Sequence, residues 1–156
     1  NKDNIKLMNV AIADIDGKLN FVDKEVVIAH GYSAFSTFSG KGGSDTEYEI
    51  ETITVDTLMS VNKMDQVRLL KLDVEGAELM ALKGAKKALA EKKIDYILVE
   101  TLFREDCKQI NDEIYELLTK EGYRCYIMKR NTLVSFDFSK ENNSRHDVIW
   151  TCIPQA

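Results

Sequence analysis

Cysteine is scarce in this 156-residue chain: Cys107, Cys125 and Cys152 stand far apart, odd in number and without CxxC spacing. That argues against a disulfide framework or a zinc knuckle, and it fits a reducing compartment, hence a cytoplasmic location. Long apolar runs are missing as well. None approaches the length of a membrane span, so no membrane partner is expected. The opening stretch, "NKDNIKLMNV", has no apolar h-region of a signal peptide. Basic charge is not in excess. With 21 Lys and Arg against 26 Asp and Glu, the net charge is -5, which weighs against nucleic acid as a partner because phosphate binding wants clustered cations. Internal repeats are absent. What is present is 44% apolar and 30% charged residues, the profile of a globular protein. The length suits one domain over 1-156, large enough to bury roughly 68–70% of its unfolded surface.

Along the chain, "IKLMNVAIA" (5–13) reads as a strand. "DIDG" (14–17) reads as a turn, and "KLNFVD" as the return strand of a hairpin. The Gly- and Ser-rich segment from His30 to Asp45 reads as a mobile surface loop. "YEIETITV" (48–55) is a strand with Glu47, Glu49 and Glu51 on a wet face, and "DTLMSVN" a short helix with Asp56 as its N-cap. Strands and helices then alternate. "VRLLKLDV" is a strand. "AELMALKGAKKALAEKK" is one amphipathic helix with a stripe of Leu79, Leu82, Ala85 and Leu89. "IDYILVET" has the continuous apolar character of a strand buried on both faces of a parallel sheet. "CKQINDEIYELLTKEG" is a helix with Ile110, Ile114, Leu117 and Leu118 inward, Asp106 and Gln109 as a capping box, and Gly122 as its left-handed stop. "YRCYIM" and "LVSFDF" are strands. "ENNSRH" is a turn that holds His146, and "DVIWTCI" is a closing strand with Trp150 in the core. The expected fold is α/β in three layers, with a mainly parallel sheet and antiparallel final strands.

Two strands end on acids. Residues two apart in a strand point to one side, so Asp73 and Glu75 face the same space, with Gly76 at the bend. "IDYILVE" ends on Glu100. Parallel strands bring their carboxyl ends to one rim, where open α/β sheets bind ligands. Asp73, Glu75 and Glu100, with Lys71 in the same strand, could therefore line one cleft. The plainer alternative is that a helix dipole favours a Glu before a helix by about 0.3–1 kcal/mol, and that turns commonly hold Asp and Glu.

"LLKLDVEGAELMALKGAKKAL", followed by "IDYILVE", resembles the signature segment of FkbM-type S-adenosylmethionine-dependent methyltransferases. The likeness runs through Lys71, Asp73, Val74, Glu75, Gly76, Ala77 and Glu78, then Leu82, Lys83, Gly84 and Ala85, then Glu100. "LMNVAIADIDGKLNF", "ITVDTLMS" and "LLTKEGYRCYIM" resemble weaker family elements in the same order. The family also has an earlier strand with a glycine-rich turn for the methionine part of the cofactor, and a second strand whose acid holds the ribose. Neither is found in this sequence, whose "SGKGGSD" comes too late and opens no helix. The resemblance thus implies a Rossmann-like class I methyltransferase fold with its amino-terminal strands missing, in a chain that opens on Asn rather than Met. The missing first strand would lie beside the one that ends at Asp73.

The resemblance implies methyl transfer from S-adenosylmethionine to an oxygen or nitrogen of a small-molecule acceptor, expected to be a hydroxyl of a sugar or secondary metabolite. Asp73 and Glu75 are the candidates for contact with the cofactor and for proton removal by a carboxylate of raised pKa, and Glu100 follows them. Asn9, Ala11 and Asp14 match the strand that approaches the adenine, although Asp14 equally suits a turn. Lys71, His30 and Ser33 are candidate acceptor contacts, the last two from the Gly/Ser loop. Two other functions fit the residues: a metal-dependent enzyme with Asp73, Glu75 and Glu100 as hard oxygen ligands, and a non-catalytic binding module. The oligomeric state leaves no trace in the sequence.

Overall fold

The computed structural model describes residues 4–23, 36–37, 46–74, 76–141 and 144–155. Its elements run β1 (Ala11–Ile12), β2 (Gly17–Asp23), β3 (Ser36–Thr37), β4 (Thr46–Ile53), α1 (Val55–Val61), β5 (Val67–Leu72), α2 (Glu78–Lys83), α3 (Lys86–Ala90), β6 (Ile94–Phe103), α4 (Lys108–Lys120), β7 (Arg124–Lys129), β8 (Thr132–Ser135) and β9 (Ser144–Thr151). The result is a mixed α/β fold with two sheets. The larger has the order β5-β6-β9-β7-β8, the smaller β1-β4-β2-β3.

The expected mainly parallel sheet is corrected here. Within the larger sheet, among the described residues, only β5 and β6 pair in parallel; β9 pairs antiparallel with both β6 and β7, and β8 antiparallel with β7. The final strand inserts between β6 and β7 and separates them. β6 also differs from its expected burial on both faces. Ile97, Val99, Thr101 and Phe103 are buried, while the alternate residues Tyr96, Leu98, Glu100 and Leu102 are half-buried. The core lies on the first side, where Ile97, Val99, Val148 and Trp150 meet Leu82, Leu89, Ile114 and Leu118 of the helices.

The amino-terminal hairpin is also rearranged. β1 keeps only two residues of the expected strand, and Leu7 is 91% exposed. β1 and β2 do not pair with each other; both pair with β4, which lies between them. The single amphipathic helix after Asp73 is two short ones, broken at Gly84. A Cβ on Gly84 would lie 2.1 Å from the carbonyl oxygen of Ala13. The close approach of the β1 segment therefore needs glycine there, and glycine in turn weakens the helix.

The caps fall elsewhere than the local sequence suggests. Thr54, not Asp56, is the N-cap of α1 and accepts from the Thr57 N–H. Asp56 instead reaches α3, where its two carboxylate oxygens accept from the N–H groups of Lys87 and Ala88, each at 2.8 Å. Asp106 makes no capping box: it pairs with Arg104, and Gln109 reaches Glu113. Ile110, placed inward by its spacing, is 40% exposed. Gly122 does stop α4, with φ +73. His146 lies within β9 rather than in a turn.

Candidate functional site

β5 and β6 run side by side with Leu72 opposite Val99. Asp73 follows β5 directly, at the rim of the sheet, and by this register comes beside Glu100. Glu100, expected to end its strand, is still within β6, which runs on to Phe103 paired with β9. β5 has a neighbour on one side only among the described strands. Across β6, Glu100 is paired with Asp147 of β9, and Leu102 with Arg145. Period-two alternation sets Lys71, Glu100, Arg145 and Asp147 on the sheet face away from the core.

Charges of both signs interleave at this rim. The Lys71 ammonium lies 2.5 Å from an Asp73 oxygen, with both side chains about half exposed. The Arg145 guanidinium donates to Glu100, which is only 17% exposed. The hydrogen bond from Lys71, and then its charge, hold Asp73 below the ordinary carboxylate range. Lys71 is raised by the reciprocal bond and, more weakly, by the charges of Asp147 and Glu100. Strand register and the two ion pairs set these groups in one patch. A lowered pKa makes Asp73 a persistent anion and a weak base, contrary to the raised value expected of a proton-removing carboxylate.

Backbone geometry fixes the corner after Asp73. Gly76 has φ +99 with open space around its missing side chain, so the left-handed backbone rather than crowding selects glycine. Glu78, the last acid of "DVEGAE", is 8% exposed. Its Oε1 accepts from the Val74 N–H at 3.1 Å and the Gly76 N–H at 3.3 Å. It fastens the turn to the first residue of α2, a positioning role that the sequence reading did not give it. Its signal was present: an acid two residues past a glycine bend, at the start of a helix.

The other candidates are placed differently. Glu75, His30 and Ser33 lie outside the described residues. Asn9, Ala11 and Asp14 are on or beside β1, in the smaller sheet, and the structure does not join them to the rim. Asn9 and Asp14 are exposed. Lys71 is engaged by Asp73. Among the described residues no three His, Cys, Asp or Glu side chains stand close enough to hold a metal ion, and Asp73 and Glu100 each have a cation against them. No described helix is long and apolar enough to cross a membrane.

Fold and rim together define a mixed α/β domain with Asp73 just past β5 and Glu100 beside it within the adjacent parallel strand β6. Residues 1–125 match the family described as the Methyltransferase FkbM domain. The chain belongs to that family and is a methyltransferase domain. No curated protein and no solved structure matches it.

Proposed function

We propose that the chain serves S-adenosylmethionine-dependent methyl transfer to a hydroxyl oxygen of a sugar or secondary metabolite, in a Rossmann-like domain of the cytoplasm. The observation that carries this reading is the pairing of two carboxylates, Asp73 just past β5 and Glu100 beside it within β6. Three carboxylates (Asp73, Glu100, Asp147) stand against two cations (Lys71, Arg145), an excess of one negative charge. The cofactor's sulfonium, ammonium and carboxylate groups sum to one positive charge, so the donor set fits it in charge. Asp73 and Glu100 would hold its cationic groups, and Lys71 or Arg145 its carboxylate. S-adenosylmethionine supplies an electrophilic methyl group, which bonds to the acceptor oxygen as its bond to sulfur breaks.

The roles divide by charge. Asp73, held ionised by Lys71, offsets positive charge. The acceptor's hydroxyl proton needs a different base, and Glu75, two residues on, is the nearest carboxylate in sequence. Glu78 holds the backbone of Val74 and Gly76, next to Asp73.

Isothermal calorimetry with S-adenosylmethionine tests the reading. The chain is expected to bind. Asp73→Asn is expected to weaken binding roughly tenfold, the equivalent of about 1.4 kcal/mol for one solvent-screened charge contact. Because Asp73 is lowered, binding should persist as pH falls to the ordinary carboxylate range and weaken only below it. Absence of binding heat, or equal affinity of the Asp73→Asn variant, would overturn the assignment.

A further inference from the structure

Asp147 is the odd charge of the patch. It is exposed and belongs to none of the ion pairs formed among the described residues, whereas Asp73 and Glu100 each hold a cation. Strand register also sets it in an unfavourable place. It lies directly opposite Glu100 in the β6–β9 ladder, and like charges so placed destabilise an antiparallel pair. Arg145, opposite Leu102, donates to Glu100.

One other cation of the patch can reach Asp147. Lys71 stands opposite Leu98, two residues before Glu100 on β6, and on the same sheet face as Asp147. β5 and β9 flank β6, so their backbones lie about 10 Å apart, two strand spacings. The flexible four-carbon stem of lysine and the shorter arm of aspartate cover such a gap from its two sides. The bond to Asp73 raises Lys71 most; after that acid's own charge comes the charge of Asp147, ahead of that of Glu100. The seat on Asp73 is easily left. The Lys71 ammonium is 2.5 Å from the carboxylate, but both side chains are about half exposed, and exposed ion pairs hold weakly.

A cation bound at Asp73 needs Lys71 out of the way. An ammonium displaced from its carboxylate, with no other anion to take it, would repel the incoming charge. We propose that Asp147 is a positioning residue for S-adenosylmethionine: it receives the Lys71 ammonium when a cationic group of the cofactor takes Asp73. The inference rests on the methyl-transfer reading for its functional meaning. Lys71 is thus the counterion of Asp73 in the empty chain and of Asp147 in the loaded one. No covalent bond changes in the exchange; one ion pair replaces another. The cofactor's carboxylate then falls to Arg145, because a guanidinium has five N–H donors and keeps capacity beyond its bond to Glu100.

Two measurements on the full chain test it. The first is calorimetry with S-adenosylmethionine across a double-mutant cycle. Asp147→Asn should weaken binding roughly fivefold in the parent, where Lys71 then keeps to Asp73. In a Lys71→Met background, where no ammonium needs a second seat, the same change should cost less than about twofold. Lys71→Met alone should tighten binding. Equal weakening in both backgrounds would reduce Asp147 to a distant charge, and weaker binding by Lys71→Met would make Lys71 a direct cofactor contact; either result overturns the proposal. The second measurement needs no cofactor: NMR titration of the Lys71 side-chain amine. Asp147→Asn should lower the Lys71 midpoint more in an Asp73→Asn background, where the ammonium has moved to Asp147, than in the parent, where Asp73 holds it. An equal lowering in both overturns the second seat. Absence of binding heat with the parent removes only the methyl-transfer reading, since the NMR comparison still decides where Lys71 sits.

Discussion

Asp16 accepts from the Thr54 N–H and from the Thr57 hydroxyl, each at 2.7 Å, and so closes the start of α1 from a turn nearly forty residues earlier. Those bonds, the backbone one first, lower its pKa. A carboxylate lowered in the folded state adds stability that is present above its unfolded value of about 3.9 and is lost as pH falls through the folded value. Asp16→Ala should therefore lower Tm at pH 7, with a deficit against the parent that narrows progressively below about pH 4. Thermal melts from pH 7 downward check this, and a deficit that stays constant for as long as the chain remains folded would contradict it. Asp73 illustrates the same physics at the rim, where a neighbouring ammonium rather than N–H groups sets the shift. The sequence showed both acids but not their protonation, because the partner that decides it is not always local. Lys71 is two residues from Asp73, whereas Thr54 is distant from Asp16 in the chain.

At the scale of elements, Gly84 is the test case. It ends α2 with φ -79, an ordinary helical value, so alanine suits its backbone and would be the better helix former by roughly 1 kcal/mol. The Ala13 carbonyl forbids it, since the added Cβ would sit 2.1 Å away. Gly84→Ala should destabilise the fold by about 1–3 kcal/mol through overpacking. Urea unfolding measures it, and an unchanged or raised midpoint would show that the β1 segment can yield. The same residue marks the limit of reading elements from sequence. The apolar stripe through Leu79, Leu82, Ala85 and Leu89 and the strand "IDYILVE" were legible, because each is a local period. The helix break at Gly84, Asp56 serving α3 rather than α1, and the separation of β1 from β2 by β4 were not. Each is decided by a contact between segments tens of residues apart. At the site, Asp73, Glu100 and Lys71 were legible as charged residues of two neighbouring strands, whereas the continuation of β6 past Glu100 and the partner Arg145 needed the register of β6 and β9.

At the scale of the whole molecule, among the described residues, polar and steric ties supplied by the signature segments join the smaller sheet to the helical layer, beside the packing of Ile12, Val55 and Met59 on the core. The Ala13 carbonyl rests on Gly84. The Asp56 N–H donates to the Gly84 carbonyl at 3.0 Å, while the Asp56 carboxylate caps α3. Asp16 and Thr54 hold α1 to the end of β4. "DIDG", "TVDTL" and "LKGA" thus act here as the joint between the smaller sheet and the helical layer, while "DVEGAE" shapes the rim. A joint made of few contacts should open before the core does, because local openings cost less than global unfolding. In native-state hydrogen exchange, the β6 and β9 amides at Ile97, Val99, Val148 and Trp150, whose side chains are fully buried, should be the slowest. Those of β1, β4 and α1 should exchange faster. Asp56→Ala removes one cap, worth about 1 kcal/mol, and should accelerate exchange in α1 and the smaller sheet roughly fivefold while the β6–β9 amides change little. A uniform acceleration of both sheets would mean that they unfold as one unit. The joint would then have no independent opening, and the signature residues would support the core as directly as Ile97 and Trp150 do.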